Sequence, residues 1–441
     1  MTTEIGYYLL EQLKHNGADD VVISISNSEN QQIKFGNNKI ATTKNWESKN
    51  IGMFVTKDKR IISTALKTFD EKSAKELSQK IMNIIQKLPK NQDYESIANG
   101  PFKYSQIPET YDPKIEDFNE EMIDYVKQSI DIVKKSAKRC AGIFEKNISD
   151  HTLITSNNVS AHEKASELYF SIRSFVDKES SGASTCVSRM KNKLNYKESA
   201  EKSARIAKQA AIPKKTISGK FDVLFEPLAF ATIIENIGEA SSIFSVESGT
   251  SCLKNKLNKK IANEKVSIYD DATIPNGYNS SAFDMEGYPT SKKAIIENGI
   301  LKTYLHNTST AKRYKTKTTG NAGLISPEPI NLYMKEGNSK FEEMFKSIKK
   351  GIYVTNVWYT RFQNYQTGDF STIPRDGAFY IENGKIKHAI NGIRISENIL
   401  NIFNNISMLG NKVEQIKSWE VDTPTFLPHV LVKDVNITKP E

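Results

Sequence analysis

Apolar positions set the first expectations. Ile5, Tyr8, Leu9 and Leu13 share one face of a helix that Gly17 stops, and VVISIS at Val21 to Ser26 then reads as a strand. IKFGNNKIATT and GMFVTKDKRIISTAL read as two hairpins, and Ala74, Leu77, Ile81, Ile84 and Leu88 mark an amphipathic helix ending before Pro89. Residues 1–88 are therefore expected to close an N-terminal α/β domain. Prolines at 89, 101, 108 and 113 oppose any regular element, so residues 89–113 read as a linker over the surface.

A central helix-strand region, 114–215, follows. It has a helix with Met122, Val126, Val133 and Ala137 on one stripe, strands around TLITS and LYFSIRSFV, and a helix with Ala200, Ala204, Ala207 and Ala211 on a narrow face. Such a small-residue stripe implies close packing within the chain. From about residue 216 to 441 the sequence turns strand-rich, with FDVLFE, KVSIYDD, INLYMKEG, IYVTNVWYT and HVLVKDVNI. Few helices are expected there, the clearest at Leu228 to Phe244, Phe341 to Lys350 and Asn398 to Leu409, the last between Ser396 as N-cap and Gly410 as stop.

Two segments of this half resemble each other: IIENGILKTYL at Ile295 to Leu305 and YIENGKIKHAI at Tyr380 to Ile390. Asn-Gly between apolar runs predicts a type I′ hairpin turn at each, since both residues accept positive φ. The likeness reflects either a common turn signal or two like elements of one sheet system. The fold class expected is α+β, an N-terminal α/β region with a mixed sheet and a C-terminal antiparallel β-rich domain.

Composition narrows the setting. The chain has 441 residues, 38% hydrophobic, enough for real cores. No apolar run approaches the roughly 20 residues of a membrane span and no signal segment opens the chain, so a soluble cytoplasmic protein is expected. Cys140, Cys186 and Cys252 are far apart and odd in number, which points to reduced thiols. The net charge of +9 is dispersed, and clusters such as KKSAKR lack the aromatics of a nucleic-acid stacking surface, so nucleic-acid binding is not expected.

Candidate chemistry is sparse. Among six histidines, His162 alone begins something like a zinc-protease helix, HEKASEL, but Ser166 stands where HExxH needs its second imidazole. His15, His151, His306, His388 and His429 are scattered. No GxSxG, GxxxxGK[ST] or GxGxxG occurs. What stands out is the density of polar, Gly-punctuated loops in the second half, which suit a site or simply turns.

Those loops carry a resemblance. DDATIPNG, FDMEGYPT, IIENGILKTYL, STAKRY and TTGNAG, followed by NLYMKEG, GIYVTNVW, TGDFS, YIENGKI and NNISMLGN, resemble the C-terminal half of the TldD/PmbA family, also called TldD/TldE. The N-terminal GADDVVISIS also fits. In TldD-like subunits one helix carries HExxxH and holds a catalytic metal; here EPLAFATIIENIGEASSIF places Glu235, Asn236 and Ala240 at those positions. The Gly-rich C-terminal stretch with a cysteine is absent too, so the chain is similar to the PmbA/TldE kind.

The resemblance implies a non-catalytic subunit of a TldD-type metalloprotease that processes peptides, paired with a TldD-like catalytic subunit or with itself. It implies no metal in this chain and a metal in the TldD-like partner. Asp284, Glu286, Thr319, Gly320, Asn321 and Asp369 would line the chamber or contact peptide. The alternatives are a stand-alone peptide-binding or scaffold protein, or a peptidase whose metal site is rebuilt from carboxylates such as Glu235 and Glu239, four apart on one helical face.

Overall fold

The computed structural model describes residues 2–215 and 218–439, and its fold is α+β. Strands β1 (Val21–Gly36), β2 (Lys39–Lys57), β3 (Arg60–Leu66), β4 (Arg139–Thr155), β5 (Ser160–Phe175) and β6 (Ser181–Ser188) form one sheet in the order β3-β2-β1-β4-β5-β6. Every pairing in it is antiparallel, which corrects the mixed sheet expected here. The stretches 1–88 and 114–215 each supply three of its strands, joined by β1 and β4 in a register from Val22↔Thr155 to Phe35↔Gly142. His162 lies on β5, exposed and beside Asp150 at 3.2 Å, so the HEKASEL segment is no helix.

Helices α1 (Thr2–His15), α2 (Glu71–Ile85), α3 (Glu120–Lys134) and α4 (Tyr196–Gln209) cover this sheet through two apolar cores. The phase of α2 differs from the sequence reading: Ile81, Met82 and Ile85 are buried, while Ile84 is 39% exposed. On α4, Ala200, Ala204 and Ala207 are buried as expected; Ala211 falls past the helix end. The small stripe admits close backbone approach, since a Cβ on Gly182 of β6 would lie 2.3 Å from Ser203 O. The Pro-rich stretch after α2 holds no helix or strand before Pro113, yet Tyr94, Ile97 and Ala98 are buried in it, so it packs into a seam instead of merely crossing the surface.

The C-terminal half holds two further sheets. One contains the strands Ile268–Asp271, Lys292–Glu297, Leu332–Met334 and Val421–Leu427; the other contains Gly219–Phe225, Lys350–Asn364, Asp369–Glu382 and Val430–Thr438. Parallel pairs occur here, between Gly219–Phe225 and Lys350–Asn364 and between Leu332–Met334 and Val421–Leu427, so this half is not purely antiparallel. Helix α5 (Pro227–Ala240) touches strands of both sheets, and Phe230, Ile233, Ile234 and Ile237 are fully buried on its different sides. Apolar residues on several sides put most of this helix in the core, with Glu239 left at the surface.

Three helix boundaries move. The span Leu228 to Phe244 breaks at Ser241 and Ser242 into α5 and a short helix Ile243–Glu247. The helix from Phe341 ends at Lys346, and the last helix is only Ile399–Asn404. Its cap is Asn398, whose Oδ1 accepts the Leu400 and Asn401 N–H groups, while Ser396 lies in a strand. Both Asn-Gly pairs make the expected turn, with φ of +49° and +78° at Asn298 and Gly299 and +50° and +67° at Asn383 and Gly384. The two hairpins lie in different sheets, so they share a turn signal and not a sheet. Among the described residues no helix is long and apolar enough to cross a membrane, and the three cysteines are free.

Candidate functional site

The polar loops of the C-terminal half fold around Asp270, which lies in the short strand Ile268–Asp271 and is fully buried. Its Oδ2 receives Lys293 Nζ at 2.9 Å and Asn321 Nδ2 at 2.7 Å, and its Oδ1 receives the N–H groups of Ile330 and Asn331. Asn321 also donates to Glu328 O at 2.8 Å and accepts from Lys293 at 3.0 Å. Burying an ion pair is costly, and these extra hydrogen bonds offset the loss of water. Asn321 is thus buried, with its amide held by Asp270, Glu328 and Lys293. Neither Asp270 nor Lys293 stood out in the sequence, because no spacing links positions that meet only through the fold.

Asp284 and Glu286 sit in the next loop. Asp284 accepts N–H bonds from Glu286, Tyr288 and Ala322 at 3.0, 2.9 and 2.9 Å, while Glu286 accepts from Thr308 N–H at 3.3 Å. Burial pushes both carboxyls up, Asp284 to about 6 and Glu286 to about 8, with the Asp284 charge adding to the second shift. Asp284 keeps its charge to lower pH because three N–H groups point at it. Glu286 lines a cavity of about 500 Å³ between the N-terminal sheet and this loop region. Thr319 braces His306, accepting its N–H at 2.8 Å, and Gly320 is left-handed at φ +66° against Pro289 O. Asp369 lies apart, exposed at a strand end and bonded to Thr367 and Asn398.

Helix α5 carries the other candidates. Glu235 is buried, accepts the Thr423 N–H at 2.7 Å, and is pushed up to about 7 by burial, with Glu239 and Asp422 adding to the shift. Asn236 donates to Thr232 O at 2.6 Å, one turn back on the same helix. Ala240 has no donor atom. Glu239, exposed at the rim of a cavity of about 280 Å³, is raised by partial desolvation and by the charges of Asp422 and Glu328. The donor set on this helix is two carboxylates without an imidazole, one already accepting a backbone N–H, and does not fit a hydrolytic transition metal.

Glu226, Glu414 and His429 bring one ligand atom each within 4.8 Å of one another. The Lys202 ammonium already fills that position, 2.7 Å from Glu226 and 3.2 Å from Glu414. Tyr353 donates to the other Glu226 oxygen. Burial opposes the Glu226 charge, but Lys202 and His429 prevail and hold its carboxyl well below the usual range. The cluster is a buried ion pair tying α4 to the start of α5.

Beside α5 lies an aromatic group. Trp358 and Trp419 meet edge to face at 5.2 Å, Tyr359 joins them, and Trp419 is 59% exposed. Thr360 and Thr232 side chains meet at 3.0 Å, fixing this strand to the helix.

Comparison with known proteins places this arrangement. Residues 218–439 match the family model of the PmbA/TldA metallopeptidase C-terminal domain. A metalloprotease of Methanocaldococcus jannaschii is 36% identical over 215 residues, 46% of this chain and 46% of that protein. A metalloprotease PmbA homologue of Buchnera aphidicola is 31% identical over 233 residues, 52% of this chain and 50% of that one. The chain thus spans about half the length of the curated relatives it matches first. Among solved structures, a Thermotoga maritima protein described as a candidate modulator of a DNA gyrase superposes with a TM-score of 0.89 at 25% identity, covering 99% of this chain and all of that one. TldE from Thermococcus kodakarensis superposes with a TM-score of 0.89 at 19% identity, over 98% of this chain and 100% of that one, a likeness of fold. The match across residues 218–439, half of the sequence, means that the chain belongs to the TldD/PmbA family of metallopeptidase-related proteins.

Proposed function

We propose that this protein is the PmbA/TldE-like, non-catalytic subunit of a TldD-type metalloprotease acting on peptides. Metal-assisted peptide hydrolysis needs an activated water and a base beside it. The observation that carries the reading is the side-chain chemistry of α5. No HExxxH occurs in the sequence; by the family resemblance Glu235, Asn236 and Ala240 stand at its positions, where Glu235 accepts the Thr423 N–H and Asn236 donates to Thr232 O.

The aromatic group beside the same helix supports an interface. Exposed Trp and Tyr with flanking arginine are enriched where proteins meet, and Arg375 lies 5.1 Å over the Trp358 ring. The test is a pull-down of the full chain with a HExxxH-bearing homologue, followed by peptidase assays of each chain and of the pair. The pair should cleave, this chain alone should not, and Trp419→Ala should weaken pairing. Metal-dependent cleavage by this chain alone overturns the proposal. Failure to bind or stimulate any such homologue favours a stand-alone peptide-binding or scaffold role.

A further inference from the structure

The cavity over Glu286 is walled by apolar groups from both halves of the chain. Phe54 comes from β2, Leu88 and Ile97 from the Pro-rich stretch, and Phe244, Leu324 and Ile325 from the C-terminal half, enclosing about 500 Å³. Phe244 is 49% and Ile325 66% exposed, so the mouth is apolar and open to solvent. Glu286 is the buried acidic group facing this space, beside the neutral polar residues Asn307, Ser309 and Thr310, with the N–H groups of Thr308 and Ala98 pointing at it.

The charge balance of the lining is one-sided. Arg313 is its cation, and Arg313 is already spent: its Nη2 contacts both Glu247 oxygens at 2.5 and 2.6 Å, and its Nη1 donates to Asp93 O at 2.5 Å. Glu286 and Asp93 remain as carboxyls without a basic side chain paired to them in the wall. A buried carboxylate lacking a counter-ion is costly, which favours the neutral acid until a cation arrives to pair with the charged form.

We propose that this cavity binds a primary ammonium group carried on an apolar body, with the charge against Glu286 and the body against Phe244, Leu324 and Ile325. Such a group is offered by the N-terminal residue of a peptide or by a free arylalkylamine. The groups facing Glu286 are Asp284 on its own loop and, from the Pro-rich stretch, Tyr94, whose hydroxyl donates to Asp20 at 2.7 Å. Asp93 and the Glu247–Arg313 pair stand further round the wall. Because burial keeps the proton on Glu286, binding of an ammonium releases that proton to solvent. This site is independent of the subunit reading, and its test uses this chain alone.

The experiment is calorimetric titration of the full chain at pH 7 with phenylalanyl-trialanine amide, its N-acetylated form, and 2-phenylethylamine. The free-amine peptide should bind, with acetylation weakening binding at least tenfold. Glu286→Gln should weaken it similarly, and repeating the titration in buffers of different ionisation heat should register close to one proton released by the unaltered chain. Ile325→Arg, a change at an exposed position that does not threaten folding, should also weaken binding by placing a cation at the mouth. Binding of the peptide but not the small amine assigns a peptide terminus; comparable binding of both assigns a small amine. No binding by either amine, equal binding of the acetylated peptide, or no effect of both substitutions overturns the proposal.

Discussion

Replacing Gly299 by alanine should destabilise the C-terminal half far more than the same change at Gly392. Both glycines are left-handed, at φ +78° and +65°. An L-residue there costs roughly 1–2 kcal/mol from its Cβ alone. At Gly392 nothing lies within 4 Å of the added atom, so the cost stops there. At Gly299 the Cβ would lie 2.3 Å from Ala262 O and 2.8 Å from Asn263 O, and these are backbone atoms. They cannot swing aside, because Gly299 O accepts the N–H groups of Ile261 and Ala262 at 2.8 and 3.1 Å, stitching the two segments together. Overpacking of this kind costs about 1–3 kcal/mol, and each weakened hydrogen bond adds about 1 kcal/mol. The expected losses are about 1–2 kcal/mol for Gly392→Ala and about 3–5 kcal/mol for Gly299→Ala. Thermal unfolding followed by circular dichroism reads the difference. At about 2–4 °C per kcal/mol for a unit of this size, the mid-range difference of about 2.5 kcal/mol puts the Tm of Gly299→Ala about 5–10 °C below that of Gly392→Ala. Equal Tm values, or a lower one for Gly392→Ala, would refute the contact argument and leave only the backbone term.

Glu286 should impose a pH slope on stability. Its carboxyl is raised from 4.5 to about 8 by burial and the Asp284 charge, so between those values the folded chain holds the proton more firmly and stability falls as pH rises. Denaturation from pH 5 to 7.5 should show a slope that Glu286→Gln reduces by up to about 1.4 kcal/mol per pH unit, and an unchanged slope would reject the assignment. Lys202→Met leaves the Glu226 carboxylate buried without its main counter-ion and should cost about 3–5 kcal/mol, while Lys202→Met with Glu226→Leu should recover most of it in the same denaturation series. Asn321→Ala removes bonds to Asp270, Glu328 and Lys293 and should lower stability by about 1–3 kcal/mol in the same denaturation series; unchanged stability would show that these bonds do not hold the loop. Metal analysis of the purified chain should find no stoichiometric zinc or iron, and one equivalent lost on Glu235→Ala would revive a carboxylate site.

What the sequence determined by itself is local. Asn-Gly makes the same turn at 298–299 and 383–384 because both residues tolerate positive φ wherever they stand. The alanine stripe of α4, apart from Ala211, and the start of α5, placed at Leu228 and found at Pro227, were nearly as legible, since each depends on neighbours within a turn or two. The absence of HExxxH could be read without coordinates, since none of the six histidines begins the complete pattern. Tertiary structure decided everything that joins distant positions. The pairing of β1 with β4 merges two stretches that looked separate, because strand partners are chosen by burial of a shared face and not by sequence distance. Asp270, Lys293 and Asn321 carry no common motif, and Lys202, Glu226, Glu414 and His429 span more than half the chain. Glu286 looked like any acidic loop residue; its chemistry comes from the apolar wall that β2, the Pro-rich stretch and Ile325 place around it, and only folding removes the water that would otherwise fix its charge.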